Sequence, residues 1–274
     1  MMDWIQGDKF KEIADFCYTP VTRAPDDYDK SVNTLDFSML RENNIIYTHT
    51  MYVKQLFEIL SLLQLSLPLV IITHNSDINI DKTFIPPDNV IKWYTQNVNV
   101  VSSRIESIPI GVENNRRSPH LHKKELMEAK LRIPRRRKNL VYMNHDVKTN
   151  PKERIIPYNI LERKSWVTSE RGRNGIRFES YLDNLYRHEF VICPEGNGMD
   201  THRTWEALYI GSIPIEKKNI NNQFYTDLPI CFVDSWDQVT EEFLMRWKED
   251  NALRKWNMEM LTFTYWKNKI LAHA

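Results

Sequence analysis

The sequence predicts an α/β fold made of two similar halves, each with a parallel sheet covered on both faces. Three observations predict it. Apolar runs of strand length alternate with segments of helical periodicity. The alternation stops at one highly charged connector near residue 135 and then restarts. Finally, 274 residues at 42% apolar and 27% charged can bury one large or two medium cores.

Each element follows in order. "NIIYTH" reads as a strand and "MYVKQLFEILSLLQ" repeats apolar residues at helical spacing; "PLVIITHNSD", "NVIKWYTQN" and "IESIPIGVENN" are apolar cores ending in polar turns. Such βαβ punctuation implies parallel pairing. Residues 113–138, "ENNRRSPHLHKKELMEAKLRIPRRRK", carry ten Lys or Arg and three Glu, and read as a connector holding a solvated helix, "KKELMEAKL". Beyond it come "NLVYMNHD", "NPKERIIPYNILE", "SWVTS", "FESYLDNLYRHE", "FVICPEG", "DTHRTWEALYIG", "SIPIE" and "LPICFVDSW". The tail is rich in Trp, Phe and Met at helical spacing. The expected units are therefore 1–134, 135–255 and a C-terminal helix in 256–274 packing back across both.

Composition excludes several classes. A net charge of +1 provides no global pull toward nucleic acid or an anionic membrane. Cys17, Cys193 and Cys231 are odd in number and widely spaced, which fits no disulfide framework or metal knuckle and suits a reducing cytoplasm. The longest strongly apolar stretch, "LSLPLVIIT", is half a membrane span, so a soluble chain without an anchor is expected.

The most informative stretch is "FVICPEGNGMDTHRTWEALYIGSIPIE", residues 190–216, which contains three of the seven glycines. Glycine admits positive φ and lets a ligand approach the backbone. A strand ending at Glu195, followed by Gly196, Asn197 and Gly198, would leave N–H groups free for an anion. Asp200 or Thr201 would cap the next helix, whose positive end lies beside that turn. Arg203 and Glu206 fall three apart on that helix, a guanidinium for phosphate oxygens and a carboxylate for ribose hydroxyls. The plain alternative is an exposed pair contributing about 0.2–0.5 kcal/mol. "GNGMDT" also approaches the GxGxxG of dinucleotide folds, with Glu216 placed for a ribose, but Thr201 stands where the third glycine should be.

The segment "CPEGNGMDTHRTWEALYIGSIPI", with "ITHNSD", "KWYTQN", "IPIGVEN" and "KTNPKER" in that order, resembles exostosin-like glycosyltransferases, particularly the short soluble forms of bacteria and large algal viruses (chloroviruses). The resemblance runs from about residue 45 to the end. It implies a GT-B architecture, two Rossmann-like domains facing a cleft, with an acceptor-side first domain and a nucleotide-sugar-binding second domain. It implies transfer with inversion from a UDP-sugar, xylose being the sugar expected, to a glycan hydroxyl in the host cytoplasm. It places Arg203 on the diphosphate, Glu206 on the ribose, and the turn from Glu195 to Asp200 at the donor sugar or phosphates. Residues 190–216 hold no DxD motif, and neither a metal nor another cofactor is expected; the positive charge on the leaving group would come from Arg203 and the helix start. A non-catalytic nucleotide- or glycan-binding protein on the same scaffold is the alternative, and an NAD-dependent dehydrogenase a further one.

Inversion requires a base for the acceptor hydroxyl. Asp77 and His74 in "THNSD" and His49 in "YTHT" stand at strand ends, where ligands gather in open α/β sheets. Asp77 is preferred because carboxylates are the usual base in this chemistry, although "HNSD" equally suits a cap and turn and either histidine suits a satisfied core position. Asn144 and His145, after the first strand of the second half, would overlie the donor or form a simple turn. Arg154 would add to the phosphate site. "PRRRK" reads as a solvated linker rather than a nucleic-acid site, and His120 with His122 lack a third metal ligand. Trp256, Tyr265 and Trp266 suit core packing, and also sugar rings.

Overall fold

A computed structural model describes residues 2–20, 35–114, 122–134, 137–170 and 176–274. His120, Arg135 and Arg136 lie outside the described residues. In the first sheet, β1 (Phe16–Tyr18), β2 (Ile45–His49), β3 (Leu69–His74), β4 (Val90–Thr95) and β5 (Ile105–Ser107) lie side by side in chain order, every pairing parallel. Helix α1 (Val53–Leu62) connects β2 to β3 and buries Val53, Leu56, Phe57 and Leu60, the one-face spacing read from the sequence. Of "IESIPIGVENN", only the first three residues form a strand; Ile108 to Asn114 run on as a loop in which Gly111 takes φ +65°.

After α2 (Lys123–Leu131), the second sheet is made of β6 (Asn139–Met143), β7 (Val167–Ser169), β8 (His188–Ile192), β9 (Ile213–Lys217) and β10 (Cys231–Val233). Its order is β10-β9-β8-β6-β7, again wholly parallel. The crossover helices are α3 (Pro151–Leu161), α4 (Phe178–Arg187) and α5 (His202–Ile210). Helix α3 starts as "KTNPKER" suggests: Pro151 occupies its first turn and the Asn150 side chain accepts from the Glu153 N–H. From β6 the chain steps outward to β7, then returns past β6 to β8. That reversal opens a crevice beyond the carboxyl ends of β6 and β8, where parallel sheets bind ligands.

Two five-stranded parallel sheets flanked by helices and facing one cleft constitute the GT-B fold, as expected. One apolar cluster joins the halves, taking in Tyr47 and Tyr94 from the first sheet together with Trp205 and Tyr225 from the second half. The chain ends in α6 (Glu241–Asn251) and α7 (Phe263–Leu271). Trp266 of α7 is fully buried in that shared cluster, and the Tyr94 hydroxyl donates to the Lys269 carbonyl at 3.2 Å. Trp256 stacks on Trp247 instead. The N-terminal segment also crosses over: the Ile5 N–H donates to the Tyr209 hydroxyl of α5 at 2.9 Å. Among the described residues no helix is long and apolar enough to cross a membrane.

Candidate active site

A cavity of about 700 Å³ lies between the sheets. Its first-half wall comes from the turns after β3 and β4, with Asn75, Ser76, Asp77 and Gln96, joined by Gly7 and Asn114. Its second-half wall comes from the ends of β6 and β8, with Asn144, Arg154, Gly196, Asn197 and Gly198, and from the first turns of α5 with Asp200, Arg203 and Glu206. One end is less polar, lined by Ile176, Phe178 and Tyr181.

The glycine turn works differently from the expectation. Neither Gly196 nor Gly198 has positive φ; that conformation belongs to Gly211, which ends α5 at φ +77°. The two turn glycines are needed for close approach. A Cβ on Gly196 would lie 3.0 Å from Arg154 Nη2, and one on Gly198 would lie 2.7 Å from Asn97 Nδ2. Nor are all the N–H groups of the turn free: Gly196 donates to the Gly198 carbonyl at 2.9 Å and Asp200 to Asn97 Oδ1 at 3.0 Å. The cap expectation also changes. Thr201 holds the N-cap position without a side-chain cap bond, while the Asp200 carboxylate is engaged with other partners. Asp200 accepts from Ile110 N–H of the first half at 2.7 Å and from Trp205 Nε1 at 2.8 Å, and its burial raises the carboxyl to about 7.

Two guanidiniums share the second wall. Arg203 donates to Asn144 Oδ1 and lies over the Tyr181 ring, 5.3 Å from its centroid. Arg154 donates through Nε to the Glu195 carbonyl at 2.8 Å and through Nη1 to the Asp146 carbonyl at 3.0 Å. Burial, with the charge of Arg203 adding to it, pulls Arg154 down to about 10. Among the described residues neither forms an ion pair with a carboxylate. Two like charges on one wall could hold an anion between them. Glu206, 8% exposed, accepts from the Tyr181 hydroxyl at 2.8 Å through Oε2.

The remaining expected residues separate. Asp77 borders the cavity at an exposed position, where Oδ2 accepts from Asn197 Nδ2 at 3.3 Å. His74 and His49 do not line it. His74 Nε2 faces the Pro109 carbonyl at 3.1 Å, which only accepts, so it carries the hydrogen; Nδ1 accepts from the Asn75 N–H at 2.8 Å. With both nitrogens engaged, and the ring stacked on Phe10 and lowered to about 4 by burial, His74 is a core histidine. His49 Nδ1 accepts from the Met51 N–H at the start of a short 3₁₀ turn. Glu195 does not reach the cavity: its carboxylate accepts from Asn219 Nδ2 at 2.8 Å, and only its carbonyl serves the site, by holding Arg154. His145 is buried behind the wall with Nε2 on the Arg154 carbonyl at 2.8 Å. Glu216, the carboxylate a dinucleotide site would use, accepts from Thr204 Oγ1 and Asn222 Nδ2 and does not line the cavity.

Sequence reasoning missed Gly7, Gln96, Asn97, Asn114 and His202. Asn97 is the most consequential: φ +55° turns the chain sharply after β4, and its amide links the Ser76 carbonyl, at 2.9 Å, to the Asp200 N–H. Its mark in the sequence is an Asn directly after a strand-end Gln, a residue type that tolerates the left-handed region.

No protein-family model matches this chain, and no curated protein matches it in sequence. Among solved structures it is similar to the alpha,alpha-trehalose 6-phosphate synthase of Burkholderia multivorans, with 9% identity and a TM-score of 0.44 over 86% of this chain and 72% of that one. A UDP-forming alpha,alpha-trehalose-phosphate synthase of Burkholderia xenovorans gives 9% identity and a TM-score of 0.46 over 86% and 74%. The N-terminal domain of a Candida albicans trehalose-6-phosphate phosphatase gives 14% identity and a TM-score of 0.42 over 86% and 72%.

Proposed function

We propose that this protein is an inverting glycosyltransferase that takes a sugar from a UDP-linked donor and places it on a glycan hydroxyl. The observation that carries the reading is the polarity of the cavity. Its second-half wall carries Arg154 and Arg203 without carboxylate partners, at the switch point of a parallel sheet and the start of α5. Its first-half wall carries amides, a hydroxyl and Asp77, and its one cation among the described residues, Lys123, is paired with Glu113. A dianion fits the first environment and a polyhydroxylated neutral group the second; a nucleoside diphosphate sugar is both.

In this reading the diphosphate lies between Arg203 and Arg154, the ribose hydroxyls reach Glu206, and the base lies toward Ile176 and Phe178. The donor sugar projects over Asn144 and Gly198 toward the first half, where the acceptor arrives. As the glycosidic bond breaks, negative charge grows on the leaving diphosphate, and both guanidiniums are already in place to stabilise it. Among the described residues no three His, Cys, Asp or Glu side chains converge on a point that could hold a metal ion. In this reading the leaving group is stabilised by the two arginines, and transfer should persist in EDTA. Xylose is the donor sugar with which to begin.

The test is transfer or slow donor hydrolysis with a panel of UDP-sugars, including UDP-xylose, in the presence of EDTA. UDP release above the rate without protein supports the reading. Tight UDP binding without turnover on any donor would instead make this a binding protein on the same scaffold.

A further inference from the structure

We infer that His202, the first residue of α5, is the general base that takes the proton from the acceptor hydroxyl; the inference rests on the transferase reading above. The ring borders the cavity beside Arg203 and Asp200. Its Nδ1 lies 2.7 Å from the carbonyl oxygen of Gly111, in the loop after β5 of the opposite half. A carbonyl only accepts, so Nδ1 carries the hydrogen and the neutral ring presents a lone pair at Nε2. Among the described residues Nε2 has no hydrogen-bond partner. A lone pair repels a phosphate oxygen but accepts a hydroxyl hydrogen, so the group matching this nitrogen is the acceptor rather than the diphosphate.

The surroundings fix the ring in that role. The Gly111 segment is held by the N-terminal segment: Gly111 bridges to Gln6, and the Val112 N–H donates to the Ile5 carbonyl at 2.9 Å. The adjacent Ile110 N–H donates to Asp200 Oδ2 at 2.7 Å, so two neighbouring residues of each half clasp one another in opposite directions. The Gly111 carbonyl of the opposite half thus favours the tautomer that makes His202 a base. Although carried by the donor-side helix, the ring leans on the acceptor-side loop, and Asn114 and Gly7 of that half line the same cavity. Asp77 has neither property: it is exposed at the rim and spans the cleft to Asn197.

In the step assigned to it, the acceptor O–H gives its proton to Nε2 while the oxygen bonds to the anomeric carbon. The bond from that carbon to the phosphate oxygen breaks, its electron pair leaving with the nucleoside diphosphate. The imidazolium then releases its proton to solvent when the cleft opens.

The experiment uses His202→Asn, whose amide N–H can still reach the Gly111 carbonyl but which has no counterpart of Nε2, together with His202→Ala. With the donor and acceptor that wild type turns over, kcat of His202→Asn should fall at least about 100-fold, the usual scale of general-base catalysis. The Kd for UDP by calorimetry should stay within about twofold of wild type. Added imidazole should restore part of the lost turnover in His202→Ala, which a merely structural role would not allow. Unchanged kcat in His202→Asn overturns the assignment, as does a loss confined to UDP affinity, or a lack of imidazole rescue alongside abolished turnover in Asp77→Asn. Failure of wild type to transfer from any donor would remove the transferase reading itself, a distinct result.

Discussion

Asn97 Oδ1 accepts the backbone N–H of Asp200 at 3.0 Å, tying the end of β4 in one half to the turn after β8 in the other. The same amide lies where a side chain on Gly198 would have to go, 2.7 Å from the position of its Cβ. Gly198→Ala should therefore force Asn97 off both of its bonds and destabilise the protein by about 1–3 kcal/mol, the range for overpacking. Gly196→Ala, whose Cβ would press most closely on Arg154 Nη2 at 3.0 Å, should cost less stability and more UDP affinity. Denaturant midpoints and UDP titrations of the two variants separate these effects; equal behaviour would show that the two glycines do one job.

Arg203 reaches the cavity from the first turn of α5, where a cation opposes the helix dipole, and it is held by the Asn144 side chain and the Tyr181 ring. Such an arginine is explained by an anion. Arg203→Ala should weaken UDP about 10- to 100-fold, from about 1.5–3 kcal/mol for a hydrogen bond to a charged group. Arg203→Lys should recover only part of this, since an ammonium cannot grip two oxygens in one plane. UDP affinity unchanged in Arg203→Ala would place the diphosphate elsewhere.

Much of the framework was legible because it depends on local pattern. The spacing of Val53, Leu56, Phe57 and Leu60 specifies α1, and Asn150 before Pro151 marks the start of α3. The stretch from Gly196 to Glu206 marks the second-half wall, since a strand, two glycines and a helix are contiguous there. What escaped depends on contacts between distant residues. Nothing next to Gly7 in sequence shows that Asn75 and His74 press against it, or that Asn97 faces Gly198. His74 and His49 stand at strand ends as a ligand-binding histidine would, and only the positions of Phe10, Pro109 and Met51 show them engaged within the protein. His202 lay inside the most informative stretch, but its significance comes from a carbonyl 91 residues away.

Stability should fall as pH rises toward about 8 because of Glu216 and Asp200, and level off above it. Burial raises Glu216 from 4.5 to about 8 and Asp200 from 3.8 to about 7. Between its unfolded and folded values each group is protonated in the native protein and ionised in the unfolded chain. The stabilisation is therefore complete below the unfolded pKa and is lost as pH rises through the folded one. His74 and His145, lowered to about 4 and about 3 by burial, act in the opposite sense, but below about pH 6.5. Glu216→Gln is the clean probe, since a neutral amide can still accept from Asn222 and donate to Thr204 Oγ1. Its unfolding midpoint should change less than wild type's from pH 6.5 to pH 8; an identical slope would show that Glu216 ionises without cost.

Glu206 tests the orientation of the nucleotide. Its Oε2 already accepts the Tyr181 hydroxyl at 2.8 Å, which holds the carboxylate in one rotamer and leaves Oε1 for a ligand. If the ribose lies there, wild type should bind UDP about tenfold or more tightly than 2′-deoxy-UDP, because the missing hydroxyl leaves a buried carboxylate oxygen unpartnered. In Glu206→Ala that preference should disappear, UDP weakening to the level of the deoxy compound while the latter changes little. Tyr181→Phe should show an intermediate preference, since Glu206 keeps its charge but loses the bond that orients it. Measuring both nucleotides on all three proteins closes a double-mutant cycle whose coupling reports the contact itself. A preference for UDP that survives in Glu206→Ala would turn the nucleotide around in the cavity, with its ribose away from α5.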